Sequence, residues 1–590
     1  MSVDADFFAF EKAKATGPSE ELPFTRKQNL WIADVGGGNG YPSNQIRFDL
    51  SQMLSSTQNM VDLSSATLEI PLVQILSGLP ATKLSGCDYA ATLKAGWHNI
   101  IQSINVVWDG QTINAPIANS QWVSHFKLLS TMCVNDVTTK ADTNLMHLDT
   151  VDSWTSTEDG AGAGGGNIAG GNPMCIVNNF ASPPYNDVAR DTNSGSSYNR
   201  GLLQRMKRLN YNNAAAGKSQ VLTPAQVSDM NKSGYIRYTA FGTTPVGVAT
   251  TYMIATIRLA DICDFFKQLP LCVAPSSGCQ LLINLHQGYS TFACAAARAA
   301  ATYTGRLTQA SSSFPYDVCP VMMTQPYPCT LAANARTGDF SLANRYTWEL
   351  PDTATANLQL GLYAVRPTSG PQAGMAAHPQ TMCRLYYSSV TLSPSYGLSL
   401  LESPNKVVEY EQYQYVSFNG FAPNASIQRI ILSSVTNCKG VLIIPFQDAT
   451  CFANTLGAPL QAFCAEPGLP SPCGYLTNFN ITVGGSPVYP EVKGLWETQV
   501  WLDELSQLGI NGGAELGVGS SLISQSMFEN GLRYYWINLE RCFTDSRIPQ
   551  SIAMVGNNGS NMTLALHCFV ITKQSVMINI ATGKVVTGTA

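Results

Sequence analysis

One short phrase occurs twice, and it narrows the folds open to this chain more than any other feature. Asn105-Val106-Val107-Trp108-Asp109-Gly110 is matched by Asn480-Ile481-Thr482-Val483-Gly484-Gly485, 375 residues later. Each reads as an apolar strand running into a type I′ hairpin turn. That turn needs positive φ at both central residues, which Asp-Gly and Gly-Gly tolerate. A second pair keeps nearly the same spacing: "TLEIPL" at 67–72 and "VLIIPF" at 441–446 lie 374 apart. Two matches in one order at nearly one offset imply a single fold built twice. A third pair, "LLINLH" at 281–286 and "MTLALH" at 562–567, alternates apolar residues similarly but at an offset of 281. Taken as equivalent strands, this pair requires about 94 more residues in the first copy and gives His286 and His567 matching structural places.

The chain has 590 residues, too many for one ordinary core. Ile46, Phe48 and Leu50 alternate with Gln45, Arg47 and Asp49, the pattern of a half-buried strand, and Leu68, Ile70 and Leu72 repeat it. Long helical periodicity is scarce, and 48 Gly and 32 Pro punctuate the sequence. The fold class expected is therefore all-β, of sandwiches or barrels, with a few short helices. The extra length of the first copy is assigned to an excursion at about 130–240, where "EDGAGAGGGNIAGGN" reads as loop, and a second excursion is expected at 290–380. Residues 1–27 read as an arm, whose Phe7, Phe8 and Phe10 would seat on the chain's own body or on a neighbour. The resulting plan is an N-terminal arm at 1–27, a first module at 28–395 and a second at 396–590, with Ile70, Leu72, Val106, Ile283, Ile444, Ile481 and Leu564 as core residues.

Charged residues make up only 12% of the chain, about half the usual share, and the net charge is −5. The balance argues against a bulk nucleic-acid binder, which carries a basic stripe. A surface poor in charge and rich in hydroxyls and amides suits a protein largely covered by its neighbours. The first residues lack the basic start and apolar run of a secretion signal, and no apolar run reaches membrane-spanning length. Sixteen cysteines in that setting are expected to be reduced and mostly buried.

No motif argues strongly for chemistry, and no catalytic, cofactor-binding or metal-binding residue is assigned. "GAGAGG" at 160–165 satisfies the spacing of a dinucleotide cradle but lacks the preceding strand and following helix that such a cradle needs. The six histidines are scattered, no Cys-x-x-Cys occurs, and Cys464 with Cys473 is at most half of a zinc site. Glu491, Glu497, Asp503 and Glu504, near Trp496 and Trp501, are the carboxylates to weigh for glycoside hydrolysis; the ordinary reading is an amphipathic helix between strands. Arg200, Arg205, Lys207 and Arg208 form a basic cluster beside an apolar stripe, read as a solvated helix or as a contact with another subunit or nucleic acid.

The stretch "TIRLADICDFFKQLPLCVAPSSGCQLLINLH" at 256–286 resembles the late-strand region of the first jelly roll in double jelly-roll major capsid proteins. There a short helix with paired aromatics precedes Leu-Pro and an alternating strand, places taken here by Phe265, Phe266, Leu269, Pro270, Leu281 and Ile283. "CRLYYSSVTLSPSYGLSLLESPNKVVEY" at 383–410 resembles the segment that closes the first jelly roll and opens the second, and 44–76 is similar to the opening strands in polinton-like viruses and virophages. The resemblance implies two tandem eight-stranded antiparallel jelly-roll β-sandwiches with long loop insertions, and no enzyme activity. It implies a homotrimeric, pseudo-hexameric capsomer tiling an icosahedral shell around double-stranded DNA. Its partners would be neighbouring capsomers, a single jelly-roll penton protein and minor capsid proteins; contact with an internal membrane is left open. The location implied is the virion. The rival readings are another virion β-protein, fibre-like or lectin-like, and a β-sandwich carbohydrate-active enzyme.

Overall fold

The computed structural model describes residues 24–586 except 37–38, 55–59, 79–86, 133, 149–204, 206–238, 242–248, 271, 277, 300–301, 316–319, 324–344, 349–354, 448–473, 475, 490–503, 505–521, 524–527, 529–532, 544–547 and 561–562. The first part of the chain supplies β1 (Phe24–Ala33), β2 (Gln45–Asp49), β3 (Met60–Ser77), β4 (Ile101–Trp108), β5 (Gln111–Asn114), β6 (Ala249–Arg258), β7 (Gln280–Leu285) and β8 (Arg384–Leu392). The later part supplies β9 (Asn405–Phe421), β10 (Ser426–Val435), β11 (Cys438–Gln447), β12 (Leu476–Val483), β13 (Ser486–Pro487), β14 (Tyr535–Asn538), β15 (Gln550–Asn558) and β16 (Leu564–Asn579).

In the first set, β1-β8-β3-β6 form one sheet and β2-β7-β4-β5 the other, all antiparallel. In the second set the orders are β9-β16-β11-β14 and β10-β15-β12-β13. Shifting every label of the first set by eight gives the second. Each set is therefore an antiparallel sandwich with the same wrapped strand order, that of a jelly roll. The register shows why alternation suffices to build it. Ile283 on β7 lies opposite Ile46 on β2 and Ile104 on β4, while Leu281 lies opposite Phe48 and Val106, and all six are buried.

The repeated phrase of the sequence is the strand and turn joining β4 to β5 and β12 to β13. All four turn residues take positive φ: Asp109 52°, Gly110 76°, Gly484 58° and Gly485 85°. "TLEIPL" lies in β3 and "VLIIPF" in β11, strands at the same place in each sheet. The third pair is not equivalent. The counterpart of β7 is β15, whereas "MTLALH" runs into β16, the counterpart of β8. His286 and His567 consequently sit on different strands of the plan, but the longer first copy stands: by register Leu281 matches Met554, 273 residues later, and 375 minus 273 leaves 102 extra residues in the first copy. The seven residues expected in the core are all buried.

The β5–β6 connection spans 115–248 and carries α1 (Ser120–Thr131) and α2 (Val134–Asn144). Among the described residues the β7–β8 connection contains five strands; one of them, Thr355–Ala364, pairs with Leu72–Ser77 of β3 and so continues the sheet beyond the reach of β8. Short helices α3 (Leu259–Ile262) and α4 (Asp264–Gln268) precede β7, and α5 (Pro394–Glu402) joins β8 to β9. Phe24–Lys27, read from sequence as the end of an arm, belong to β1 instead, paired with β8. Residues 1–23, with Phe7, Phe8 and Phe10, lie outside the described residues.

Candidate functional site: the seam between the sandwiches

Each sandwich has its own buried cluster, and each cluster borrows residues from the other half of the chain. Val408 and Tyr410 of β9, Ile578 of β16 and the following Ile580 pack into the first core. Trp122, Val123, Phe126 and Leu129 of α1, a helix of the first half, pack into the second. The apolar positions of α1 are spaced three and four apart, giving one face that needs covering. Trp122 meets Phe446, His567 and Phe569 edge-on at 5.0, 4.8 and 6.3 Å, and Phe126 lies 5.4 Å from Tyr534. Tyr410 lies edge-on to Phe265 of α4 at 5.5 Å and donates its hydroxyl to the Ile113 carbonyl at 3.1 Å.

Charge is concentrated at the same seam. The Glu411 carboxylate on β9 pairs with Lys127 of α1 and with Lys439 of β11. Lys127 also donates to the Tyr413 hydroxyl at 2.7 Å, and the Glu411 amide donates to Asp264 of α4 at 3.0 Å. Burial opposes ionisation of Glu411, but the two ammonium groups outweigh it and bring its pKa down to about 2. Nearby, a ring nitrogen of His98 lies 2.9 Å from one of His125 on α1. Burial holds His98 down to about 3, and burial together with His98 holds His125 well below the ordinary imidazole range. Neither the Glu411 cluster nor the histidine pair is legible in the sequence, since their members stand 284, 28 and 27 residues apart.

The candidates for chemistry lie only in part among the described residues. Of the four carboxylates weighed for hydrolysis only Glu504 is described. It is buried and its oxygens are occupied by donors: Tyr489 hydroxyl at 2.7 Å, Arg541 guanidinium at 2.7 Å and the Asn538 amide at 3.2 Å. Such a carboxylate is an anchor for the β13–β14 connection. Of the basic cluster only Arg205 is described; it is fully buried, donating to the carbonyls of Leu93 at 3.0 Å and of His147. It is thus neither on a solvated helix face nor free for a phosphate. His286 faces Gln121 of α1 at 3.0 Å, and His567 is hydrogen-bonded to the Tyr415 hydroxyl at 2.7 Å. Cys263, Cys279, Cys383, Cys438 and Cys568 are buried, and burial pushes the thiols of Cys263 and Cys568 up to about 12. Among the described residues no three His, Cys, Asp or Glu are grouped to hold a metal, and no helix is long and apolar enough to cross a membrane. "GAGAGG", Cys464 and Cys473 lie outside the described residues.

Neither the known protein families nor the curated proteins contain a sequence match. Solved structures do. A chain of the Sputnik virophage, seen by electron cryomicroscopy, superposes with a TM-score of 0.50 at 11% identity, covering 97% of this chain and 90% of the other. The chain is a double jelly roll. The major capsid proteins of mavirus and of Faustovirus align at 10% and 9% identity, with TM-scores of 0.44 and 0.42, over 97% and 95% of this chain and 92% of each of theirs. In this double jelly roll the seam is the best-built polar and aromatic assembly among the described residues. Its residues pack each sandwich against elements of the other half of the chain.

Proposed function

We propose that this chain is the major capsid protein of a virus of the virophage or polinton-like kind, and that it acts by assembly. Three copies, each contributing two sandwiches of equal topology, make a capsomer of six similar units with a nearly hexagonal outline. Such capsomers tile an icosahedral shell around a double-stranded DNA genome, beside a penton protein and minor capsid proteins. The observation that carries the proposal is the repetition of one strand order in two sandwiches whose cores exchange residues. The sparse charge supports it, as do the exposed apolar side chains Trp31, Leu398, Val407 and Ile430, which a shell would cover.

The test is to purify the chain, measure its mass in solution and image it. A trimer with a six-lobed outline that forms plates or shells is expected. A monomer at micromolar concentration that forms neither would overturn the proposal.

A further inference from the structure

The two repeated turns differ in a way that the twin topology does not require. Where the second sandwich has Val483-Gly484, the first has Trp108-Asp109. The turn of the second sandwich is exposed from Gly484 to Pro487. The turn of the first is likewise exposed from Gly110 to Thr112, but its Trp108 is buried and its Asp109 half-buried against residues 580–586. After β16 the backbone reverses at 579–584: Gly583 N–H donates to the Asn579 carbonyl at 2.7 Å, and the Asn579 side chain accepts from the amides of Ala581 and Thr582, both at 3.1 Å. The returning residues then meet the groups peculiar to the first turn. The buried Trp108 indole N–H donates to the Gly583 carbonyl at 2.8 Å, and the Asp109 carboxylate accepts from the Val585 amide at 3.0 Å and from the Ser276 hydroxyl at 3.1 Å. The Ala274 amide donates to the Ile580 carbonyl at 2.9 Å, and Ile580 is buried in the first core. Gly583 has φ +68°, and a Cβ there would fall 1.8 Å from the Ala274 carbonyl oxygen, so the approach admits only glycine.

We infer that residues 580–586 are a latch for the first sandwich, which closes fully only when this segment is seated on Trp108 and Asp109. Without the latch, Trp108 keeps a buried donor with no acceptor, and Ile580 leaves a gap among apolar side chains. The device concerns folding and holds whether or not the protein builds a shell.

Hydrogen exchange on the full-length chain tests it, comparing wild type with Gly583→Val. Amides of 101–114 and 272–285 should exchange at least about tenfold faster in the variant, while those of 438–447 and 476–483 keep their protection. Trp108→Phe keeps one ring in the core while removing the donor and the rest of the indole, so it should give a smaller change at the same amides and reads the outcome if Gly583→Val yields no soluble protein. Unchanged exchange in the first sandwich overturns the latch. So does an equal loss of protection in both sandwiches, or failure of Trp108→Phe to fold, because either makes the tail inseparable from the whole fold.

Discussion

Glu411 illustrates what single residues contribute and how little of it the sequence displays. Its carboxylate pairs with both Lys127 and Lys439, and its side chain is 13% exposed against their 29% and 33%. Glu411→Gln would leave two ammonium groups facing each other beside a core. Loss of one partner from a fully buried pair costs roughly 3–5 kcal/mol, and the access of both lysines to water brings the expected loss to about 2 kcal/mol. A denaturation midpoint at neutral pH reads this directly, and a further Lys127→Met should restore part of the loss; an unchanged midpoint in the single variant would refute the role. The sign with pH follows from the depressed carboxyl: the contribution is full above the ordinary glutamate range and disappears as pH falls towards about 2. By contrast, the core residues were legible one by one, because alternation marks an inward face without any knowledge of the partner strand.

At the scale of elements, the helix α1 is where sequence reasoning stops. The strand-and-turn phrase identified equivalent elements correctly because it carries a backbone requirement, positive φ at two residues in a row, which few sequences meet. The late-strand pair failed because it rested on alternation and a terminal histidine. The stretches 281–286 and 562–567 alternate in sequence, a pattern many strands share, whereas in the fold β7 buries every second residue and β16 is buried on both faces from Leu564 to Thr572. The exchange of α1 into the second core left a weaker trace: an apolar stripe states that something covers it and does not name what. The fold answers that with Trp122, packed among Phe446, His567 and Phe569. Trp122→Ala should cost about 3–5 kcal/mol by truncation of a buried aromatic, and it should do so in the second sandwich although the residue belongs to the first half of the chain. Thermal unfolding followed by exchange at 438–447 and 564–579 measures it. Damage confined to strands β1–β8 would contradict the assignment of this helix to the second core.

For the whole molecule, the buried histidines bind protons less readily in the folded chain than in the unfolded one, and this sets its response to acid. Burial holds His98 and His286 down to about 3 and His378 to about 4, while burial and the neighbouring His98 hold His125 well below the ordinary imidazole range. In the unfolded chain each titrates near ~6.5. Between that value and the folded values the unfolded state binds more protons, so stability falls as pH falls and is fully present only above the unfolded pKa. From pH ~6.5 to ~5.5 each such group removes about 1 kcal/mol, and four of them act in the same direction. The groups are spread over the molecule: His98 and His125 hold α1 against the first sandwich, His286 faces Gln121 of the same helix, and His378 packs against Tyr252 of β6. Acid therefore loosens the attachment of the helix that enters the second core together with the first sandwich itself, before the Glu411 cluster begins to titrate. The melting temperature should drop steeply between pH ~6.5 and ~5, and His125→Gln, which cannot take up the proton, should flatten that slope by about a quarter while lowering stability at neutral pH. A melting temperature that is level across this range would show that these four imidazoles are not held neutral by the fold.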